Sequence, residues 1–198
     1  MPINQIKSVV VMASGNGSVA QAVFDAQLNG VLTGLIKIEK VISDQPDAGV
    51  LNRAEQAGIP TVTLTVKAFA NRSEWNRALI DEVDASKPWL VVSAGFMRIL
   101  SPDFVNKFQT INTHPALLPA FPGAHAVADA MAAGVEVTGA TVHFVDEGVD
   151  TGQIIKQAIV EIHKGDTQVE LHERIKIEER KILVETIKEL VMKSEEQA

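Results

Sequence analysis

Asn112 and His114 stand two residues apart in Ile111-Asn112-Thr113-His114-Pro115-Ala116-Leu117-Leu118-Pro119. In an extended segment that spacing sends both side chains off one face of the backbone. An amide donor beside an imidazole suits acyl chemistry. The amide holds a carbonyl oxygen as it turns negative, and the imidazole moves a proton near neutral pH. Pro115 restricts His114 to extended dihedrals and so holds the histidine in place. Asp150 lies in the stretch His143-Phe144-Val145-Asp146-Glu147-Gly148-Val149-Asp150-Thr151-Gly152. Folded against His114, it would orient the ring and favour its charged form. The same residues also fit a strand that ends in a Pro-rich loop and carries one histidine.

A second constellation lies near the N-terminus. Ser8 to Ala13 is a continuous apolar run, the pattern of a strand covered on both faces. It ends in Ser14-Gly15-Asn16-Gly17-Ser18, after which Val19, Val23 and Phe24 begin a helical apolar stripe. A strand, a glycine-rich turn and a helix start bring free backbone N–H groups together, and glycines let a bulky anion approach. Ser14 and Ser18 add hydroxyl donors, so a phosphate fits here. Gly15, Gly17 and Ala20 also match the dinucleotide fingerprint in a loose form. The candidate ribose acid, Asp44, comes later than that motif usually places it. A dinucleotide enzyme would also leave Asn112 and His114 without a task.

Other chemistry-bearing residues are open to two readings. Glu179 falls four residues after Ile175 and four before Leu183, on a largely apolar helix face. It is either at the helix edge or a buried acid that needs a partner. His125 either lines a pocket or is solvated. His143 is a satisfied strand histidine or a support for the Asp146–Asp150 loop. A metal site made from His114, His125, His143 and Asp150 lacks the short ligand spacings of known sites. Phe96 and Met97 fit plain core, Arg98 fits a carboxylate partner, and Trp75 and Trp89 fit the packing of helices on a sheet.

The elements that must position these groups alternate. Strands are expected at Ile36–Ser43, Thr61–Thr65 and Leu90–Ala94. Helices are expected from Val19 to Asn29, from Ala48 to Ala57 and from Arg72 to Ala85. Alternation of this kind specifies an α/β fold, Rossmann-like, with a mostly parallel twisted sheet flanked by helices. Ala140–Val145 and Ile154–Ile162 are strands joined only by a loop, which gives an antiparallel edge. A long C-terminal helix runs from Thr167 to about Met192, with polar, frayed residues from Ser194 to Ala198. No repeat or linker divides the 198 residues, so they read as one domain. Residues 1–100 are expected to form an α/β half with the phosphate loop, and 101–198 the half with the Asn112–His114 and His143–Gly152 segments.

Composition narrows the chemistry. Cysteine and tyrosine are absent, which removes thiol nucleophiles, thiolate zinc sites and phenolic proton transfer. The net charge of -7, without a basic cluster, argues against a nucleic-acid surface. No apolar run approaches the ~20 residues of a membrane span. The segment from Met1 to Lys7 lacks the apolar core of a signal peptide, so a cytoplasmic location is expected.

Four segments together resemble the phosphoribosylglycinamide formyltransferase family. They are Ala13-Ser14-Gly15-Asn16-Gly17-Ser18, Ala94-Gly95-Phe96-Met97-Arg98-Ile99-Leu100-Ser101-Pro102, Asn112 to Pro119, and His143 to Gly152. The resemblance covers nearly the whole chain. It implies transfer of the formyl group of 10-formyltetrahydrofolate to glycinamide ribonucleotide in purine synthesis, without a metal. The partners it implies are small-molecule substrates, with neither nucleic acid nor membrane, in a monomer or homodimer. By resemblance, Asn112, His114 and Asp150 are the catalytic trio. Gly15, Asn16, Gly17, Ser18, Val19 and Glu179 meet the ribonucleotide. Arg72, Met97, Arg98, Ile99, Leu100, Asn112, Asp146, Glu147, Gly148, Val149 and Asp150 line the folate site. At Val19 the family usually has an asparagine, so one side-chain hydrogen bond is missing while the backbone donors remain. The alternatives are a formyltetrahydrofolate hydrolase, which has no need of the glycine loop, and a dinucleotide-binding oxidoreductase.

Overall fold

A computed structural model describes residues 5–196 of the chain. Residues 1–4, part of the segment read for a leader peptide, and residues 197–198 of the expected frayed tail lie outside this range.

The elements follow the apolar pattern closely in the first half. Strand β1 (Lys7–Met12) leads into α1 (Ser18–Asn29), then β2 (Ile36–Ser43) and α2 (Gly49–Gln56). Next come β3 (Thr61–Thr63), α3 (Arg72–Asp84) and β4 (Leu90–Ser93). The second half holds α4 (Pro102–Lys107), β5 (Thr110–His114), α5 (Ala126–Ala132), β6 (Val137–Phe144), β7 (Ile154–Glu161) and α6 (Gln168–Glu196). The strands form one sheet in the order β3-β2-β1-β4-β5-β6-β7. Pairing is parallel from β3 to β5 and antiparallel between β5 and β6 and between β6 and β7.

Side-chain alternation divides the core between the two faces of the sheet. Val9, Val11, Val92, Ile111 and Val142 pack with α1, α2 and α6. Val10, Met12, Ile42 and Val91 pack on the other face with Trp75, Leu79 and Val83 of α3 and Phe104 of α4. The order reverses between β1, which turns to β2 on one side, and β4 on the other. The loops leaving those two strands meet at the carboxyl edge, where open α/β sheets place their ligands, and Ser14 N–H donates to the Gly95 carbonyl there (3.0 Å).

Several boundaries differ from expectation. The short helices α4 and α5 carry too few residues for a periodic stripe and were not anticipated. Strand β3 stops at Thr63 rather than Thr65, because a 3-10 turn at Val66–Ala68 follows. The last helix continues past Met192 to Glu196. Its polar end is tied to the first strand, where Lys7 Nζ lies 2.8 Å from Glu195. Among the described residues, no helix is long and apolar enough to cross a membrane.

Candidate active site

The register of three adjacent strands sets the centre of the site. Asn112 on β5 pairs directly with Ser93 on β4 and with His143 on β6, so the three side chains form a row on one face. The Ser93 hydroxyl donates to Asn112 Oδ1 (2.8 Å), and Asn112 Nδ2 donates to His143 Nε2 (3.3 Å). His143 Nδ1 donates to the Phe144 carbonyl (2.8 Å). Nδ2 of Asn112 keeps its second hydrogen.

His114 ends β5 and is buried, with both ring nitrogens facing acceptors. Nε2 donates to the Phe121 carbonyl (2.8 Å), and Nδ1 lies 3.3 Å from Asp150 Oδ2. A carboxylate and a carbonyl both accept, so each ring nitrogen faces a group to which it can donate. Phe121 has φ of 54°, a left-handed conformation unusual for a bulky residue. Asp150, with φ of 55°, is more at ease there, since Asp tolerates that region. Its carboxylate also accepts from the Gly123 N–H (2.8 Å) and lies 3.5 Å from His143 Nε2. Burial opposes the Asp150 charge. The adjoining His143 ring, the Gly123 N–H and the neighbouring His114 outweigh it and hold the carboxyl below the usual carboxylate range. The fold therefore brings Asn112, His114 and Asp150 together across a long stretch of chain.

The glycine loop sits at the start of α1. Gly17, with φ of 77°, caps the helix, which has neither a side-chain cap nor an acidic residue in its first turn. Its N–H groups and positive end are therefore suited to an anion. A Cβ on Gly17 would meet Val50 of α2 at 2.6 Å, so glycine is required for space as well as conformation. Helix α2 braces the loop: Val50 N–H donates to the Gly15 carbonyl (3.1 Å), and Arg53 Nε donates to the Asn16 carbonyl (2.7 Å). Ser18 is the first residue of α1. Val19 turns its side chain into the core and offers only its N–H to an anion.

Two sequence expectations near this loop need correction. Ser14 is not a free hydroxyl donor for a phosphate: it donates to Asp44 Oδ1 (2.5 Å) and accepts from the Met97 N–H (2.8 Å). Asp44 is not an open ribose acid. It is buried and accepts from Gln45 (2.8 Å) and from Arg98 Nε (2.6 Å) as well. Burial opposes this charge too, but the Ser14, Arg98 and Gln45 hydrogen bonds hold the carboxyl below its ordinary range. The dinucleotide reading thereby loses its acid, and Arg98 gains the carboxylate partner expected for it.

The segments expected to line a folate site differ in exposure. Phe96 is core and stacks on Trp75, whereas Met97 is 70% exposed and so is not core. Ile99 and Val149 are likewise exposed, and Leu100 is buried. Exposed apolar side chains of this kind suit a flat aromatic ligand. Arg72 lies over the Trp75 ring, 4.4 Å from its centroid, and donates to the Ile99 carbonyl. The Asp146–Asp150 loop is internally tied: Asp146 accepts from the Gly148 N–H (3.1 Å) and the Thr151 hydroxyl (2.8 Å). Glu147 accepts from Asn106 (3.0 Å).

On the other face of β5, Thr113 points toward α6 and donates to Glu179. Glu179 is 5% exposed, which decides against the helix-edge reading. Burial pushes its carboxyl up to about 7, against the Thr113 hydrogen bond and the charges of Lys176 and Arg180. His125 is exposed at the start of α5. Among the described residues, no group of three or more His, Asp or Glu side chains is arranged to hold a metal ion.

Sequence reasoning missed Ser93, Thr113, Phe121 and Arg53. Ser93 had a signal, a polar residue closing the apolar run Leu90-Val91-Val92. Arg53 and the Phe121 carbonyl had none, because their roles depend on contacts between distant segments.

A formyl transferase family model matches residues 7–187. The chain is 45% identical over 181 residues to the phosphoribosylglycinamide formyltransferase of Mycobacterium tuberculosis, covering 90% of this chain and 82% of that protein. It is 43% identical over 177 residues to the Escherichia coli protein of the same name, covering 88% and 82%. The glycinamide ribonucleotide transformylase 1 structure from Symbiobacterium toebii superposes with a TM-score of 0.91 at 38% identity, covering 94% of this chain and 88% of that one.

Proposed function

Because the chain belongs to the formyl transferase family, with phosphoribosylglycinamide formyltransferases among its relatives, we propose that it carries the same activity. It moves the formyl group of 10-formyltetrahydrofolate onto the amine of glycinamide ribonucleotide, a transferase reaction of purine synthesis. The cytoplasm is the compartment that suits these substrates.

The amine nitrogen attacks the formyl carbon, and the carbonyl electrons move to oxygen as a tetrahedral centre forms. Asn112 donates its remaining amide hydrogen to that oxygen, and His114 lies beside it as a second polar group. The attacking nitrogen then loses a proton, and the departing folate nitrogen takes one as its bond to carbon breaks. His114 is the group that relays the proton, giving one to the departing folate nitrogen and taking the one the amine loses, with its Nε2 bond to Phe121 exchanged to do so, while Asp150 keeps the ring oriented. The helix start at Gly17–Ser18 takes the ribonucleotide phosphate, Glu179 is a further ribonucleotide contact, and the Met97–Leu100 and Asp146–Asp150 segments take the folate.

The observation that supports this reading most is the 3.3 Å approach of Asp150 to His114 beside Asn112. The test follows folate absorbance with and without glycinamide ribonucleotide. Turnover that requires the ribonucleotide is the expected result. Formate release independent of it would identify a hydrolase instead, and NAD binding without any folate effect would identify a redox module.

A further inference from the structure

We propose that Ser93 is a positioning residue, whose hydroxyl fixes the plane of the Asn112 amide so that its free N–H points at the formyl oxygen. The inference rests on the formyl-transfer reading and adds a residue that the sequence did not single out.

An asparagine presents a donor and an acceptor of similar size, and half a turn about its last bond exchanges them. With Nδ2 outward the amide stabilises an oxygen that becomes negative. With Oδ1 outward it opposes the same charge. The neighbours decide between the two. The Phe144 carbonyl only accepts, so His143 Nδ1 carries a proton, and in the neutral ring Nε2 is left as an acceptor. That acceptor faces Asn112 at 3.3 Å and selects the orientation with Nδ2 toward His143.

One hydrogen bond still leaves the amide free to swing about it. A serine hydroxyl takes either end of an amide, so Ser93 does not choose the end. It supplies the second fixed point: Oδ1, held at 2.8 Å on the opposite flank, defines the plane in which the remaining hydrogen lies. Strand register makes the clamp rigid, because Ser93 and His143 are the direct neighbours of Asn112 on its two sides. Ser93 is 5% exposed, so bulk water is poorly placed to replace its hydroxyl. No other partner is recorded for that hydroxyl among the described residues, which leaves Asn112 as its one function in the hydrogen-bond network.

The test is steady-state formyl transfer by the full-length protein carrying Ser93→Ala, Ser93→Thr or Ser93→Val, with Ser93→Ala repeated in an Asn112→Ala background. Ser93→Ala should lower kcat roughly ten-fold, the scale of one lost hydrogen bond, with both KM values within about three-fold of wild type. Thr, which keeps the hydroxyl, should restore kcat, and Val, the same shape without it, should not. In the Asn112→Ala background the Ser93→Ala loss should shrink below about two-fold, since the residue acts only through that amide. An unchanged kcat in Ser93→Ala, equal losses in both backgrounds, or equal rates for Thr and Val would overturn the proposal. If the Ala protein does not fold, the Thr and Val pair decides it. A wild-type protein that transfers no formyl group would overturn the underlying reading as well, and that result is seen before any variant is compared.

Discussion

In the proposed mechanism Asn112 acts through one hydrogen. Its other polar atoms are committed to Ser93 and His143, so removing the side chain would take away the proposed oxyanion donor while sparing the helix start at Gly17. Asn112→Ala should lower kcat by about 10²- to 10³-fold. Calorimetric titration with glycinamide ribonucleotide should give an affinity close to wild type. Asp150 acts differently, because its charge is itself stabilised by the fold. A carboxyl whose folded pKa is depressed contributes stability above its unfolded value, and loses it as the pH falls through the folded one. Urea melts of wild type and Asp150→Asn should therefore differ most above pH ~4 and converge below it. A gap that stays constant down to pH 2 would remove the charge from this account. Asn tolerates the left-handed backbone at this position, so the comparison isolates the carboxylate.

The proposed ribonucleotide contacts sit at a helix start and on a helix face. The loop before α1 is wedged against α2, where a methyl group on Gly17 would overlap Val50 in a backbone region that disfavours L side chains. Gly17→Ala should cost about 1–3 kcal/mol in thermal or urea unfolding and weaken ribonucleotide binding, with the His114–Asp150 pair left in place. Helix α6 holds the opposite case, an acid buried on an apolar face. Glu179 has a folded pKa near 7 against 4.5 for the free group, so the native state binds the extra proton. Stability from this group is full below pH 4.5 and is lost as the pH rises toward 7. The loss is on the order of 3 kcal/mol. Glu179→Gln should accordingly be more stable than wild type at pH 8, with the difference closing by pH 4.5. A glutamine that is less stable at pH 8 would mean that the ionised acid has a stronger partner than Thr113.

At the scale of the molecule, the sheet runs without interruption from β3 to β7, and α6 packs on the first half from the end of the second. We propose that residues 1–100 and 101–198 unfold together. Fluorescence of Trp75 and Trp89 and far-UV circular dichroism should give coincident transitions, and two separated midpoints would contradict this. Much of this architecture was legible beforehand. Continuous apolar runs such as Ser8–Ala13 and Leu90–Ala94, each with a glycine within two residues of its end, specify buried parallel strands because such strands hide both faces. The helix α3 stripe at Trp75, Leu79 and Val83, and Asn112 and His114 two apart on β5, follow from local periodicity in the same way. Short helices with no repeat to detect, α4 and α5, did not show. Neither did the fate of polar groups whose partners lie far along the chain. A sequence lists Ser14, Asp44 and Arg98 as three separate candidates, and only folding makes them one closed network. Local order is written in nearest-neighbour spacing, which a linear chain contains. The pairing of Asp150 with His114, and of Ser93 with Asn112, depends on strand register and loop closure, which arise when distant segments pack and water is excluded between them.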